Sequence, residues 1–279
     1  MAQCSKYLFV FDFDDTIVNG QAEYYQGEKL LSKKEHEELI YIDQNISFND
    51  SFKYLYSRLK QNGITIDQLN KVIESVPFND GMVELFNYLR KNKPVLDIIA
   101  LSGDVDYVLK VSLKKKGILD LFSTIIAYEG IPGSDDNEYL IDVKFNEKSE
   151  TCEICNPNTC KTKKLNEYLG GKKYDVVIFV CDGGNDYCYA NSLQEKDYVF
   201  CRKDFGLYKR LYKRDMIKNL KCNVKVWENG FEIIDELKKI IMNWKLKQRC
   251  FFYKYFQIFL CVYIKNIIKV KILIFSFFI

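Results

Sequence analysis

The stretch "DFDDT", residues 12–16, sets Asp12, Asp14 and Asp15 directly behind the apolar run "YLFVF" of residues 7–11. Carboxylates this crowded repel one another and resist burial, so the turn is either solvated or gathered around a cation. Three later stretches carry matching chemistry: "LSGD" with Ser102 and Asp104, "CKTKKL" with Lys161, and "CDGGND" with Asp182 and Asp186. Oxygen ligands select a hard cation such as Mg²⁺, which keeps several waters and takes one or two carboxylates plus a substrate phosphate. Taken singly each feature has a plainer reading. "DFDDT" could be a solvated turn, Lys161 one of several surface lysines, and Asp186 an acid at a helix start. The single histidine, His36, lies in the polar stretch "SKKEHEEL", where a solvated position is expected. A Ser-His-Asp hydrolase or a His-rich zinc enzyme would have to be built on it alone.

For these residues to meet, the elements carrying them must end together. Tyr7 to Phe13 reads as a strand, apolar throughout, as suits a parallel strand covered on both faces. From Gln21 to about Val76 the apolar spacing becomes helical in "LLSKKEHEELIYI", "SFKYLYSRLK" and "TIDQLNKVIESV", with Gly63 as a break. Strand and helix then alternate. A helix capped by Asp80 precedes strand Val95–Leu101, and a helix from Asp104 to Gly117 precedes strand "STIIAY". Residues 130–158 are polar and loop-like with room for a short hairpin. "CKTKKLNEYLGG" is a helix, and "DVVIFV" and "DYVFCR" are strands. The expected fold class is α/β, a parallel sheet with right-handed crossovers and a helical insert after the first strand. In such a sheet ligands bind beyond the carboxyl ends of the strands, where Asp12, Ser102 and Asp182 fall.

The chain has 279 residues, 48% hydrophobic and 28% charged, a globular composition with room for one large domain or a core plus an insert. Six basic residues and no acid fall from Leu246 onward, leaving 35 Lys+Arg against 38 Asp+Glu in the slightly acidic remainder. That body lacks the basic face of a nucleic-acid binder. The N-terminus lacks the charged and apolar regions of a signal peptide, so the expectation is a cytoplasmic protein with its ten cysteines reduced.

In their order and spacing, "DFDDT", Ser102, Lys161 and "DGGND" resemble the haloacid dehalogenase (HAD) superfamily of phosphohydrolases. More narrowly, "VPFNDGMVELF", "CEICNPNTCK", "FVCDGGNDYC" and "WENGFEIIDEL" are similar to the phosphoethanolamine/phosphocholine phosphatase family, which includes pyridoxal phosphate phosphatases. The likeness runs from Tyr7 to Leu237. It implies a Rossmann-like core at 1–19 and 77–245 and a C1-type helical cap at 20–76, with the tail 246–279 outside it. It also implies a Mg²⁺-dependent phosphomonoester hydrolase with a small phosphorylated amine, alcohol or pyridoxal phosphate as substrate. Asp12 would be the nucleophile that forms an aspartyl-phosphate, and Asp14 the general acid whose backbone carbonyl also touches the metal. Ser102 would hydrogen-bond the phosphoryl oxygens and Lys161 would neutralise charge, while Asp182 and Asp186 complete the metal set with Asp12 and Asp14. Gly183 and Gly184 would let the turn approach the metal closely. Glu23 matches an acidic head-group position, and Tyr24 or Tyr25 could add a cation–π face for choline or ethanolamine.

Two positions depart from the family pattern. Cys181 stands where glycine usually begins the metal turn, which puts the turn's shape in question. Gly103 stands where an acidic head-group residue usually follows Ser102, so either Asp104 reaches in from one position later or the preference differs. These departures leave open a non-catalytic relative that binds phosphoesters or regulates. Cys152, Cys155 and Cys160 form a C-x2-C-x4-C run, readable as a zinc site lacking a nameable fourth ligand or as a turn with buried thiols. The longest lysine-free apolar run in the tail is ten residues, well short of the roughly 20 of a membrane span. The tail reads as a basic interfacial helix on anionic lipid, or as sequence from a misassigned gene end. Oligomeric state is not legible.

Overall fold

A computed structural model describes residues 7–91, 96–134, 137–145, 152 and 160–240. The tail after 240 and Cys155 lie outside the described residues. Five apolar side chains in succession leave β1 (Tyr7–Phe11) no solvent face, and all five are buried. Phe11 packs on Phe86, ring centroids 4.9 Å apart. Leu8 and Val10 belong to a cluster with residues of later helices.

The chain then leaves the sheet for four helices: α1 (Ala22–Leu30), α2 (Lys33–Asn45), α3 (Phe48–Gln61) and α4 (Ile66–Ser75). The expected helix "LLSKKEHEELIYI" starts later than its apolar spacing suggests. Ser32 and Glu35 form a capping box that ends the preceding segment and opens α2. Thr65 and Gln68 do the same for α4, and the Ser47 hydroxyl caps α3. Entry to and exit from the helices lie side by side: Val18 and Phe78 form an antiparallel bridge. Asn19 N–H donates to the Pro77 carbonyl at 2.8 Å, and Asn79 N–H donates to that of Ile17 at 3.0 Å.

Beyond this hinge come α5 (Met82–Arg90), β2 (Leu96–Val105), α6 (Asp106–Lys115), β3 (Thr124–Pro132), β4 (Ile141–Lys144), α7 (Lys161–Leu169), β5 (Val176–Cys181), α8 (Tyr187–Ser192), β6 (Tyr198–Arg202) and β7 (Asn223–Trp227). The sheet order is β4-β3-β2-β1-β5-β6-β7. All neighbours are parallel except β3 and β4, the hairpin in the polar loop. This is the Rossmann-like α/β arrangement expected from the sequence. The order reverses at β1, which pairs with β2 on one side and β5 on the other, so the crevice for a ligand opens at its carboxyl end.

Some local expectations differ from the structure. Asp80 does not cap α5; Gly81 holds that place with φ +73°, and a Cβ there would meet the Phe231 backbone nitrogen at 2.7 Å. β2 continues through Ser102, Gly103 and Asp104, and α6 begins at Asp106. β7 carries polar and apolar residues together and is partly exposed, so it lacked the apolar run that marks the inner strands. His36 is half-buried rather than fully solvated: its Nε2 is enclosed without a hydrogen-bond partner, and its ring packs near Gly27 of α1.

Candidate active site

Asp12 follows β1 by one residue, and its backbone N–H still bonds to the Val180 carbonyl of β5 at 3.0 Å. Sheet register thus carries its side chain to the end of β5, where Asp182 and Asp186 stand. The Lys161 ammonium lies 2.7 Å from Asp12 Oδ2 and 2.7 Å from Asp186 Oδ1, with all three side chains buried. Asp12 Oδ1 accepts from Phe13 N–H at 2.8 Å, and Asp182 Oδ1 accepts from the Thr16 hydroxyl at 3.2 Å. Carboxylate oxygens of Asp12, Asp182 and Asp186 all lie within 4.8 Å of one another.

One ammonium cannot balance three buried carboxylates. Burial, with Asp12 and Asp186 next to it, pushes Asp182 up to about 9. Burial and Asp12 carry Asp186 to about 7, although Lys161 pulls the other way. Burial acts against the Lys161 charge, but Asp12 and Asp186 outweigh it and hold the ammonium protonated. Asp182 can ionise at neutral pH only if further positive charge arrives, and an oxygen-only donor set suits a hard divalent cation. On both counts these residues fit such an ion.

The turn that holds Asp182 and Asp186 depends on close backbone approach. Asp186 Oδ2 accepts from Gly183 N–H at 2.8 Å, and a Cβ on Gly183 would meet Asn185 Oδ1 at 2.3 Å. Gly206 backs Gly184, and a Cβ on Gly206 would fall 2.4 Å from the Gly184 nitrogen. Cys181 ends β5 with its side chain in the core cluster beside Val10, Leu165 and Cys201. Burial first, with the Asp186 carboxylate next, raises its thiol well above the usual range.

A second acidic group adjoins the first. Asp14, Glu23 and Asp104 offer carboxylate oxygens within 4.8 Å of one another. Asp14 Oδ1 accepts from the N–H of Ala22, the first residue of α1, at 2.8 Å, and Glu23 is the second residue of that helix. Asp104 reaches the group because β2 is irregular. Leu101 pairs with Ile126 but Val105 pairs with Tyr128, so four steps on β2 oppose two on β3. This bulge turns Asp104 inward from one position later, while Gly103 lies under the ring of Phe48 from α3. Ser102 is buried within the last part of β2, where its hydroxyl accepts from Asp104 N–H at 3.0 Å. Both Glu23 carboxylate oxygens and Asp104 Oδ2 are buried without a hydrogen-bond partner. Burial first and neighbouring carboxylates second raise all three: Glu23 acts on Asp14, Asp104 on Glu23, and Asp14 on Asp104.

The two tyrosines expected to face a ligand are engaged elsewhere. Tyr24 turns its hydroxyl to Asp43, and the Lys29 ammonium sits 5.3 Å from the centre of the Tyr25 ring. Tyr56 and Gln26 are the buried polar neighbours that sequence spacing missed; the Tyr56 hydroxyl lies 3.5 Å from Gln26 Oε1. Asn79 was missed too, and its side-chain amide donates to the Thr16 and Val18 carbonyls at 2.8 and 3.0 Å. Asp15 points away from both groups. It adopts φ +52° and bonds Gln21 at 2.6 Å, while Arg202 donates to its carbonyl.

A buried carboxylate, a buried lysine paired with it and an acidic turn that fits a cation now stand at one sheet edge. A family model described as "Putative Phosphatase" matches residues 7–241. The chain belongs to that family. Among curated relatives, pyridoxal phosphate phosphatase PHOSPHO2 of Bos taurus is 31% identical over 244 residues, covering 85% of this chain and 99% of the relative. The Mus musculus protein of the same name is 29% identical over 242 residues, with 85% and 99% covered. Phosphoethanolamine/phosphocholine phosphatase of Gallus gallus is 27% identical over 253 residues, covering 88% and 91%. A solved apo phosphoserine phosphatase superposes with TM-score 0.53 at 18% identity, over 82% of this chain and 98% of its own, which shows the shared fold. The chain is thus a phosphatase by family, on a fold shared with phosphoserine phosphatase. No helix among the described residues is long and apolar enough to cross a membrane.

Proposed function

We propose that this phosphatase hydrolyses a small phosphomonoester with Mg²⁺, through a phosphoryl group carried on Asp12. The observation that carries this reading is the Lys161 ammonium lodged between Asp12 and Asp186, beside an acidic turn short of positive charge. Residues 20–76 would act as the cap, closing over the sheet edge and excluding water. The side chains of Asp12, Asp182 and Asp186 and the carbonyl of Asp14 would hold Mg²⁺. The ion would supply charge neutralisation to the carboxylates that hold it.

A carboxylate oxygen of Asp12 attacks phosphorus as the bond to the leaving alcohol breaks, and Asp14 gives that alcohol its proton. Burial and Glu23 raise the Asp14 carboxyl well above the usual range, which favours the protonated form this step uses. Asp14 then takes a proton from water, which attacks the phosphoryl group, releases phosphate and frees Asp12. Ser102 donates to the phosphoryl oxygens, and Lys161 neutralises charge shared by Asp12 and phosphate.

Glu23 and Asp104, buried with unpartnered oxygens, favour a substrate whose far end is cationic, such as phosphoethanolamine or phosphocholine. A positive group there would satisfy both acids and stabilise their ionised forms. Likeness to proteins named pyridoxal phosphate phosphatase and phosphoethanolamine/phosphocholine phosphatase supports testing pyridoxal phosphate beside these two esters. Gly103 would give the head group room beside Phe48. Phosphate release from a panel of the three esters, with and without Mg²⁺ and for wild type against Asp12→Asn, tests this. Equal activity of the two proteins would overturn the reading.

A further inference from the structure

The cysteines of "CEICNPNTC" take no part in the phosphoryl chemistry, yet the fold gathers them. Cys152 and Cys160 come from that run and Cys188 from α8. The Cys188 sulfur lies 3.5 Å from that of Cys152 and 3.8 Å from that of Cys160, and all three fall within 4.8 Å of one another. Neither spacing is that of a disulfide, whose sulfurs stand about 2.0 Å apart. Sulfurs on two corners of a zinc tetrahedron, each about 2.3 Å from the metal, lie about 3.8 Å apart. The Thr162 hydroxyl donates to Cys188 Sγ at 3.1 Å, the outer hydrogen bond that ligating sulfurs commonly receive.

We propose that Cys152, Cys160 and Cys188 bind a structural Zn²⁺ ion. Sulfur ligands select a soft or borderline metal where the carboxylates of the active site select a hard one, so each site has its own ion. The placement gives the ion a task. Cys160 precedes Lys161 at the start of α7, and Cys188 follows Asp186 by two residues. A metal joining these sulfurs ties the start of α7 to α8, beside the 2.7 Å contact between Lys161 and Asp186. The three cysteines act as positioning residues for Lys161.

Elemental analysis of full-length protein expressed with added zinc is expected to find about one Zn per chain. Cys188→Ser and Cys160→Ser should lose it, while Asp182→Asn keeps it. Loading wild type with Co²⁺ in place of zinc should give thiolate charge-transfer absorption and tetrahedral visible bands, a readout that does not depend on any variant folding. Zinc-stripped protein resupplied with Mg²⁺ should unfold at lower temperature and show kcat reduced about ten-fold, with KM little changed. The proposal is overturned by wild type that holds no zinc and gives a Co²⁺ spectrum without thiolate bands. Zinc lost from Asp182→Asn but kept by Cys188→Ser would overturn it too, as would a disulfide between any two of the three. A stripped enzyme of unchanged kcat would refute the positioning of Lys161.

Discussion

Replacing Lys161 by Met keeps most of the unbranched side chain and removes the ammonium and its charge. In the folded protein the ammonium lies 2.7 Å from both Asp12 and Asp186, and the three side chains are only 5%, 9% and 0% exposed. Solvent cannot take over the role of the missing charge, so the discount for screening at exposed pairs does not apply. Removing one partner of a buried ion pair costs about 3–5 kcal/mol, because a buried charge is left uncompensated. Here two carboxylates lose the same partner, so the upper half of that range is expected in EDTA. Denaturant unfolding of wild type and Lys161→Met, without divalent ions and at neutral pH, measures it. The midpoint should fall with the slope unchanged. Mg²⁺ should restore more stability to the variant than to wild type, since it meets one more uncancelled negative charge. Activity should nevertheless fall by about 10²–10³, the scale of losing one preorganised charge-stabilising group. A loss below about 1 kcal/mol, typical of surface pairs, would refute the buried bridge between Asp12 and Asp186.

Gly183→Ala puts a Cβ 2.3 Å from Asn185 Oδ1, so the turn must shift; Mg²⁺ affinity measured by activity titration should weaken at least about ten-fold, on the scale of disturbing groups that orient metal ligands. Asn79→Ala removes two buried hydrogen bonds to the carbonyls of Thr16 and Val18. It should cost about 1–3 kcal/mol in thermal or denaturant unfolding and lower kcat, because the loop that carries Asp14 loses its brace. Glu23→Gln combined with Asp104→Asn should raise the stability of the ligand-free protein, since two buried acids lacking partners are neutralised. The same pair should lower kcat/KM for phosphocholine and phosphoethanolamine by at least ten-fold more than for pyridoxal phosphate.

The inner half of the fold was legible because burial on both faces leaves its mark on composition. "YLFVF" and "VVIFVC" have little choice but to be central strands, and the acids behind them to stand at the sheet edge. The peripheral elements were less legible. β7 mixes polar and apolar residues, and the boundary between α1 and α2 is set by a capping box rather than by hydrophobic period. The inward turn of Asp104 rests on a bulge between β2 and β3, which depends on how two strands pair and leaves no trace in either alone.

The chain by itself determined the kind of chemistry. Residue types and the alternation of strands and helices bring carboxylates, a serine hydroxyl and a lysine to one edge of a parallel sheet. Only the tertiary structure chose among equivalents. Of three lysines in "KTKKL", Lys161 is buried between two acids and Lys163 is exposed, while Lys164 lies 4.0 Å from the centre of the Tyr128 ring and is lowered by burial and by Lys161 to about 8. Of the five acids at the strand ends, Asp12, Asp182 and Asp186 form one group and Asp14 and Asp104 join Glu23 in another. Cys188, 28 residues beyond Cys160, became its neighbour. Charge type is a property of the residue, but burial and the identity of its neighbours are set by packing, and those decide which carboxylate or sulfur can hold a proton or a metal.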